Sequence, residues 1–507
     1  MTDQTMISPR TLRRAILAAP VLLAACTAGP DYEKPAAPIQ TEFKEAGQAW
    51  RQAEPADVAD RGAWWSIYND PVLDGLERQV EVSNQTLKES LAAYDQARAL
   101  VDEASANFWP SIAISPSVTR SKSGGGSGSS SALAKQLGVS SGSKATTTYS
   151  ATATASWDID LWGKIRRTVE SDEETAQADA ADVANAKLSA QATLATDYFQ
   201  MRSTDQLKTL LHDTVEAFSR SLKITQDQYN AGTAAKTDVI TAQTQLQSAQ
   251  SQEINTGVQR ATLEHAIAVL VGKTPAEISI APEPLTKTVP VTPAGVASKL
   301  LERRPDIAGA ERRVAAANAQ IGVAIAAFYP DLTLSGSDGF TGTSFPNLFR
   351  AANNVWSVGA SASETIFDAG SRSAAVAAAR AGYDQNVATY RQTVLAGFQQ
   401  VEDELATLRI LEQQAAVEDE TVKSAHLAVQ LFLNQYKAGT VSYTSVVTAQ
   451  ATALSEDETL LTIQQNRMVA SVTLVEALGG GWSADQLPAR DKLDDFHKTE
   501  QEADAKP

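Results

Sequence analysis

The sequence predicts a mainly α-helical protein with a small β part, and three observations support that prediction. Alanine, the best helix former, accounts for 86 of the 507 residues, while aromatic residues make up only 6%. Two stretches of 68 residues, 164–231 and 371–438, contain no proline. Four short segments alternate apolar or small residues with polar ones, which is the period of a β-strand. Long helices with a few strands are therefore expected.

The sequence also contains an internal repeat of about 200 residues. Residues 228–243 match residues 435–450 at an offset of 207, with identical residues at 10 of the 16 positions. Phe108-Trp109-Pro110 resembles Phe328-Tyr329-Pro330 at an offset of 220, so the first copy contains an insertion, in the Gly/Ser-rich stretch Ser121–Ser143. We expect a first structural repeat at 71–280 and a second at 281–482, each with a helix, a β-hairpin and a long helical hairpin.

Each repeat begins with a helix and a pair of strands. The first helix is predicted at Leu76–Trp109, which lacks Gly and Pro, and its counterpart at Asp306–Tyr329. The alternating segments predict two hairpins with long loops at 120–147 and 339–354. The strand residues on the apolar side are Ile112, Ile114, Pro116, Val118, Tyr149, Ala151, Ala153, Ala155, Trp157, Leu332, Leu334, Trp356, Val358, Ala360 and Ala362.

The long helical hairpins follow the strands. A continuous helix of 68 residues would reach about 100 Å. Apolar residues spaced by three and four, from Leu207 to Tyr229 and again from Val422 to Tyr436, indicate a coiled-coil seam. An Ala-Gly-Thr turn ends each long helix, and return helices are predicted at 237–271 and 444–478.

The alternating strands favour a membrane β-barrel over a helical membrane span. The longest apolar run, 15–26, is interrupted by Pro20 and is shorter than the roughly 20 residues that a spanning helix needs. Four strands cannot close a barrel, and open edges are not tolerated in lipid. An eight-stranded barrel is filled by its own side chains, so a pore needs the twelve strands of three copies. The sequence therefore predicts a homotrimer.

The N-terminus predicts a lipoprotein. Three arginines precede an apolar stretch that ends in Leu23-Ala24-Ala25-Cys26, which looks like a bacterial lipobox, and Cys26 is the only cysteine. We expect residues 1–25 to be a signal peptide, Cys26 to carry the lipid, 26–70 to form a lipid-anchored segment and 483–507 a polar tail. The alternative is an ordinary signal peptide with a coincidental cysteine.

Several motifs resemble those of TolC-type outer-membrane factors, in the lipoprotein branch of tripartite multidrug efflux systems. They cover the chain from Cys26 to Trp482: Gly29-Pro-Asp-Tyr-Glu-Lys-Pro35, Trp64-Trp65 with Asp70-Pro71, Arg303-Arg304-Pro305-Asp306 with Ala310-Glu311-Arg312 and Ile321-Gly322, and Ala477-Leu-Gly-Gly-Gly-Trp482. The resemblance implies a homotrimer with a 12-strand outer-membrane β-barrel, four strands per chain, above a long periplasmic α-helical coiled-coil barrel. It also implies a periplasmic adaptor protein and an inner-membrane proton-driven pump as partners.

By this resemblance the two Ala-Gly-Thr turns form the periplasmic tip where the adaptor docks. The alternative is that each is simply a helix turn, with Gly chosen for positive φ. The residues concerned are Tyr229, Ala231, Gly232, Thr233, Tyr436, Ala438, Gly439 and Thr440.

Two gate candidates lie near these turns. Tyr436 matches the family's gating tyrosine, but the Arg and two Asp residues of the family latch correspond to Val441, Ser445 and Thr448, so that latch is missing here. Asp238 would form a ring of three carboxylates, which favours cations. It could equally be an acidic residue that interacts with a helix dipole.

Aromatic residues near the strand ends are candidates for a membrane-interface girdle, with a core role beneath the barrel as the alternative. They are Trp109, Trp157, Trp162, Tyr329 and Phe367.

No catalytic or cofactor site is predicted. The four histidines are far apart, and Gly272-Lys273-Thr274 mimics the end of a phosphate-binding loop, but Ile267 replaces its first glycine. The net charge of −17 argues against nucleic acid as a partner. We expect a passive outer-membrane exit duct for drugs or other small molecules. The alternatives are a duct for secreted protein or metal ions, and a lipid-anchored coiled-coil scaffold without a pore.

Overall fold

The computed structural model describes residues 27–38, 43–46, 63–122, 145–286, 288–290 and 300–493. The predicted signal peptide, Cys26, most of the Gly/Ser-rich stretch and most of the predicted tail lie outside these residues. Within them, helices dominate and the strands form one small sheet.

The same order of elements occurs twice along the chain. The first set is α1 (Pro71–Ser83), α2 (Gln85–Ala106), β1 (Ser111–Ser121), β2 (Thr146–Asp158), α3 (Lys164–Asn230) and α4 (Lys236–Leu270). The second set is α5 (Pro305–Ala326), β3 (Asp331–Gly342), β4 (Asn354–Ser363), α6 (Ser371–Lys437) and α7 (Tyr443–Ala477), preceded by one helical turn at Leu300–Arg303. Both long helices have 67 residues and both return helices have 35. The predicted long helices, return helices and four strands are confirmed to within a few residues.

The prediction of one continuous helix at Leu76–Trp109 is wrong. The helix breaks at Asn84, whose side-chain oxygen accepts the Leu87 N–H at 3.0 Å and so caps α2. The Asn84 side-chain amide also donates to the Leu270 carbonyl at 2.8 Å, a contact across 186 residues that fixes the break. At its far end α2 stops at Ala106, and its counterpart α5 stops at Ala326, because the prolines that follow start the strands.

The four strands form one antiparallel sheet in the order β1-β2-β3-β4. The register places every predicted apolar position on one face. One row of this face is Ile114, Ala153, Asp338 and Trp356, so the face also carries one carboxylate. The other face carries mainly serine, threonine and glycine, such as Ser117, Ser150 and Thr341. The strands β1 and β4 are the two edges of this sheet.

Beneath the sheet the helices lie side by side in two rows of four, an upper row next to the sheet and a lower row toward the turns, and the long helices α3 and α6 belong to both. Next to the sheet, α3 packs between α2 and α5, and α5 packs on α6. Toward the turns, α3 packs between α4 and α7, and α7 packs on α6. Each strand is therefore continuous with one helix of the upper row. The upper row ends at α2 and α6 and the lower row at α4 and α6, and each of these edge helices packs along its length on only one other described helix of its row.

Candidate functional site

The two turns between long and return helices have the same backbone geometry. Gly232 and Gly439 have φ values of 76° and 73°, the left-handed region that glycine adopts without strain. The Thr233 N–H bonds the Gln228 carbonyl and the Gly232 N–H bonds the Tyr229 carbonyl, both at 2.9 Å. The second turn repeats both bonds, so each long helix ends in a Schellman motif. A Cβ added at either glycine would meet open space.

The tyrosines that precede the turns differ between the copies. Tyr229 is 40% exposed, whereas Tyr436 is only 5% exposed and packs on Tyr443 with ring centroids 5.2 Å apart. These rings form a small core with Ala242 and Val446, which joins the two hairpins near the turns. The gate candidate Tyr436 therefore lies at the contact between α4, α6 and α7.

The structure brings the second gate candidate to the same place. Burial raises the pKa of Tyr443 to about 12, and burial also raises the pKa of Tyr436. The Asp238 carboxylate adds to both pKa shifts, while the Thr225 hydroxyl opposes them. Asp238 is thus an electrostatic neighbour of both phenols, which the spacing of these residues in the sequence does not reveal.

A polar contact links the hairpins one level above this aromatic core. The buried Gln450 side-chain amide donates to the Ser221 hydroxyl at 2.9 Å, between α7 and α3. Two of the residues at the family's latch positions, Ser445 and Thr448, line a shallow apolar cavity of about 380 Å3 with Phe432. These short neutral side chains offer no ion pair to hold the turns together.

The predicted girdle aromatics lie at the base of the sheet. Trp162 stacks on Tyr329 with centroids 4.8 Å apart and donates its indole N–H to the Pro330 carbonyl at 2.8 Å. Trp157 donates to the Phe108 carbonyl at 2.9 Å. Trp109 is 68% exposed and Phe367 is 85% exposed, and they lie at the β1 and β4 edges respectively.

A second aromatic group lies at the opposite end of the strands, and the sequence analysis missed it. Phe345 packs against Tyr149 and Phe349 against Phe340, with centroid distances of 5.6 and 5.4 Å. Phe345 and Phe349 belong to the β3–β4 connection, for which the sequence pattern predicts only a loop. The alternating pattern of the strands extends to Tyr149 and Phe340, and it was the signal available in the sequence.

The polar face of the sheet ends in two carboxylates. Asp158 accepts a hydrogen bond from the Thr333 hydroxyl at 2.6 Å, and Asp331 lies 3.7 Å from the Lys164 ammonium. Both carboxylates line a cavity of about 880 Å3 where the strands meet the helices.

The N-terminal segment is bound to the same level of the molecule. The Ala28 N–H donates to the Trp162 carbonyl at 2.9 Å, and Arg167 bonds the Ala28 carbonyl and the Asp31 carboxylate. Gly29 lies against Gly322, where an added Cβ would come within 2.5 Å of the Gly322 Cα. Gly29 and Gly322, which are 293 residues apart in the sequence, therefore bring their two motifs into contact.

The remaining motifs meet lower down. Arg304 pairs with Asp306 at 2.7 Å and donates to the Ala477 carbonyl at 2.8 Å, while Gly479 packs closely on the Arg303 carbonyl. These contacts hold the start of α5 against the end of α7. The Arg-Arg-Pro-Asp and Gly-Gly-Gly segments, which are distant in the sequence, therefore form one structural unit.

The described residues contain no group of three or more His, Cys, Asp or Glu side chains that could hold a metal ion. In the same ranges, no helix combines the length and the hydropathy that crossing a bilayer requires.

Comparison with known proteins agrees with this architecture. The chain is 29% identical over 464 residues to the probable efflux pump outer membrane protein TtgC of Pseudomonas putida, covering 91% of this chain and 94% of that protein. It is 29% identical over 476 residues to the pyoverdine export outer membrane protein OpmQ of Pseudomonas aeruginosa, covering 93% and 97%.

Solved structures show the same fold. The outer-membrane channel OprN superposes with a TM-score of 0.81 at 28% identity, covering 90% of this chain and all of that one. The Campylobacter jejuni channel CmeC gives 0.81 at 20% identity, covering 95% and 98%. The sequence model of the family described as "Outer membrane efflux protein" matches residues 76–273 and 296–480, well over half of the chain. The chain belongs to the outer membrane efflux protein family.

Proposed function

We propose that three copies of this chain form a passive exit duct in the outer membrane. A periplasmic adaptor and an inner-membrane proton-driven pump would deliver drugs or other small molecules to its lower end. The family consists of outer-membrane efflux channels, which argues against an enzyme and against a scaffold without a pore. Similar proteins are named for toluene, solvent and pyoverdine export, which supports small organic molecules as the cargo.

The distribution of exposed apolar side chains carries the trimer proposal. Apart from Tyr229 in the last turn of α3, no large apolar side chain is exposed on α3, α5 or α7. The helices at the edges of the two rows carry many. They are Leu91 and Leu100 on α2, Ile240, Ile254, Val258 and Val269 on α4, and Leu395, Ile410, Val417, Leu427 and Leu431 on α6.

This distribution fits a closed ring of copies. Burying an apolar side chain against a neighbour gains roughly 25 cal/mol per Å2 of apolar surface, so both free edges favour association. The β4 edge and the lower α6 edge lie on one side, and the β1 and α4 edges lie on the other. Three copies would give twelve strands above twelve helices, whereas two would give eight strands and a barrel filled by side chains.

The turns are the proposed adaptor-docking surface. Both expose a small, rigid Schellman motif with open space around the glycine, and both occur at the far end of the helices from the sheet. Tyr229, Ala231, Gly232 and Thr233 form one such surface. Tyr436, Ala438, Gly439 and Thr440 form the other, with Tyr436 buried behind it.

The proposed gate is the contact between the hairpins near the turns. Asp238, Tyr436 and Tyr443 are close neighbours there, and the apolar core around them, to which α3 adds Leu222 and Ile224, holds the first hairpin against the second. With Val441, Ser445 and Thr448 in place of the family's ionic latch, closure would depend on this core and on the Gln450–Ser221 hydrogen bond.

The proposed lipid anchor is Cys26, after removal of residues 1–25. The Ala28 N–H bonds the Trp162 carbonyl at the base of the sheet, and Cys26 precedes Ala28 by two residues in the sequence. Trp162 and Tyr329 form part of the proposed interfacial girdle, and an acyl chain at this height would enter the bilayer beside it. We also propose that residues 26–70 form the lipid-anchored segment and residues 483–507 the polar tail.

The oligomeric state and the transport activity test this proposal. Protein extracted from membranes in mild detergent should have the mass of three chains, and a monomer would contradict the architecture. In a strain without its own efflux channel, the chain expressed with a compatible adaptor and pump should restore resistance to toluene or antibiotics. Restored protein secretion or metal-ion resistance, without drug resistance, would instead favour the alternative ducts.

A further inference from the structure

The two β-hairpins repeat each other residue by residue. In the first hairpin Ser111 lies opposite Ser156, and in the second Asp331 lies opposite Ser363. The first members of these pairs are 220 residues apart and the second members are 207 apart. These are the same two offsets that relate the copies in the sequence, so the internal repeat extends to the hydrogen-bonding register.

Between the hairpins, β2 pairs with β3, and this internal seam joins the second strand of the first hairpin to the first strand of the second hairpin. Ala153 lies opposite Asp338 and Thr154 opposite Ser337. Just beyond β2, the Ile159 N–H still donates to the Leu332 carbonyl at 2.9 Å. In a ring of chains, the seam between β4 of one chain and β1 of the next would again join the second strand of one hairpin to the first strand of another.

We propose that β4 of one chain pairs with β1 of the neighbouring chain in the register of the internal seam. Applying the two offsets to the β2–β3 pairs places Ala360 opposite Val118 of the neighbouring copy and Ser361 opposite Ser117. This inference rests on the trimeric ring proposed above and goes beyond it, because it specifies which residues meet between subunits.

The chemistry of both faces agrees with this register. Ala360 and Val118 each lie on the apolar face of the sheet, and Ser361 and Ser117 lie on the polar face. A slip of one residue would move the apolar row of one chain to the polar face of the next. Only slips by an even number of residues would keep apolar residues beside apolar ones, so the experiment has to separate the proposed register from the nearest of these, a slip of two.

The same register explains two exposed aromatic rings at the base of the sheet. Tyr329, which stacks on Trp162 in the internal seam, corresponds to Trp109 in the first copy. Trp162 corresponds to Ala369 in the second copy, so the segment after β4 offers no indole ring for Trp109 to stack on. It offers Phe367 instead, two residues before Ala369. The proposed register brings Phe367 and the neighbouring chain's Trp109 to the same corner of the seam.

Disulfide cross-linking tests the register directly. Cys26 is the only cysteine in the chain, so introduced pairs have no free competitor once it is acylated. Opposed residues of an antiparallel pair have Cα atoms about 4.5 or 5.5 Å apart, within the range of a disulfide. The two double variants are Val118→Cys with Ala360→Cys, and Ser117→Cys with Ser361→Cys. Adjacent pairs alternate between the type with Cα atoms about 4.5 Å apart and the type with Cα atoms about 5.5 Å apart, so the two variants test one pair of each type.

Oxidation of membranes that contain either double variant should give reductant-sensitive dimers and trimers on denaturing gels. Ala360→Cys combined with Pro116→Cys or with Arg120→Cys shifts the register by two residues either way and should cross-link far less. The single-cysteine variants should give none. Efficient cross-linking of a shifted pair, or of no pair in protein of trimeric mass, would overturn the register and leave the trimer standing. Protein of monomeric mass would instead contradict the proposed trimer itself.

Discussion

At the scale of single residues, Glu77 is a carboxylic acid side chain in a buried position that does not favour its charged form. It lies on α1, is fully buried, and neither carboxylate oxygen has a hydrogen-bond partner. Burial raises the pKa of Glu77 to about 9, and the Glu81 and Asp74 carboxylates add to the shift. The side chain is therefore neutral in the folded protein at physiological pH and ionised in the unfolded chain.

This difference predicts that Glu77 makes stability depend on pH. Since the folded state holds the proton up to about pH 9 and the unfolded state releases it near 4.5, stability falls as pH rises between these values. Each unit within this window costs at most about 1.4 kcal/mol. Glu77→Gln should therefore raise the melting temperature at pH 8 by several degrees and change it little at pH 5. Exposed Glu89→Gln is the control, and parallel pH profiles for wild type and Glu77→Gln would contradict the assignment.

At the scale of secondary-structure elements, most of the fold could be predicted because the signals are local. The absence of proline over 164–231 and 371–438, with glycine at each end, marks both long helices, and alternation marks all four strands. The break at Asn84 could not be predicted, because it depends on a bond to Leu270 in a distant helix. The neighbourhood of Asp238, Tyr436 and Tyr443 also depends on the packing of α4, α6 and α7, which no local pattern encodes.

The turns give a prediction at the same scale. A β-branched residue at Gly439 is disfavoured at φ 73° by about 1–2 kcal/mol, yet its Cβ would touch nothing. Gly439→Val should therefore distort only the docking surface: drug resistance is lost while the amount of trimer in the membrane stays the same. Gly439→Asn is the matched control, because asparagine tolerates this conformation, and it should retain resistance. Unchanged resistance in the valine variant would remove the docking role of this turn.

At the scale of the whole molecule, charge and architecture act together. The chain has a net charge of −17, and loss of residues 1–25 would take away three arginines and one aspartate, leaving −19. The strand face with serine and threonine is almost uncharged until its base, where Asp158 and Asp331 lie. In a trimeric tube, fixed negative charge would therefore act below the barrel, and each carboxylate near the turns would occur three times.

This arrangement predicts how Asp238 affects conduction. In planar bilayers the trimer should open rarely and favour cations, since a ring of three carboxylates attracts cations at the narrow end. Asp238→Asn removes that ring and the negative charge beside Tyr436 and Tyr443. The ratio of cation to anion permeability, measured from the reversal potential in a KCl gradient, should fall toward unity. Glu89→Gln removes an exposed carboxylate on α2, away from the turns, so it serves as the control and should leave the ratio close to that of the wild type. If both variants keep the wild-type ratio, Asp238 is a helix-terminal residue without a role in the pore.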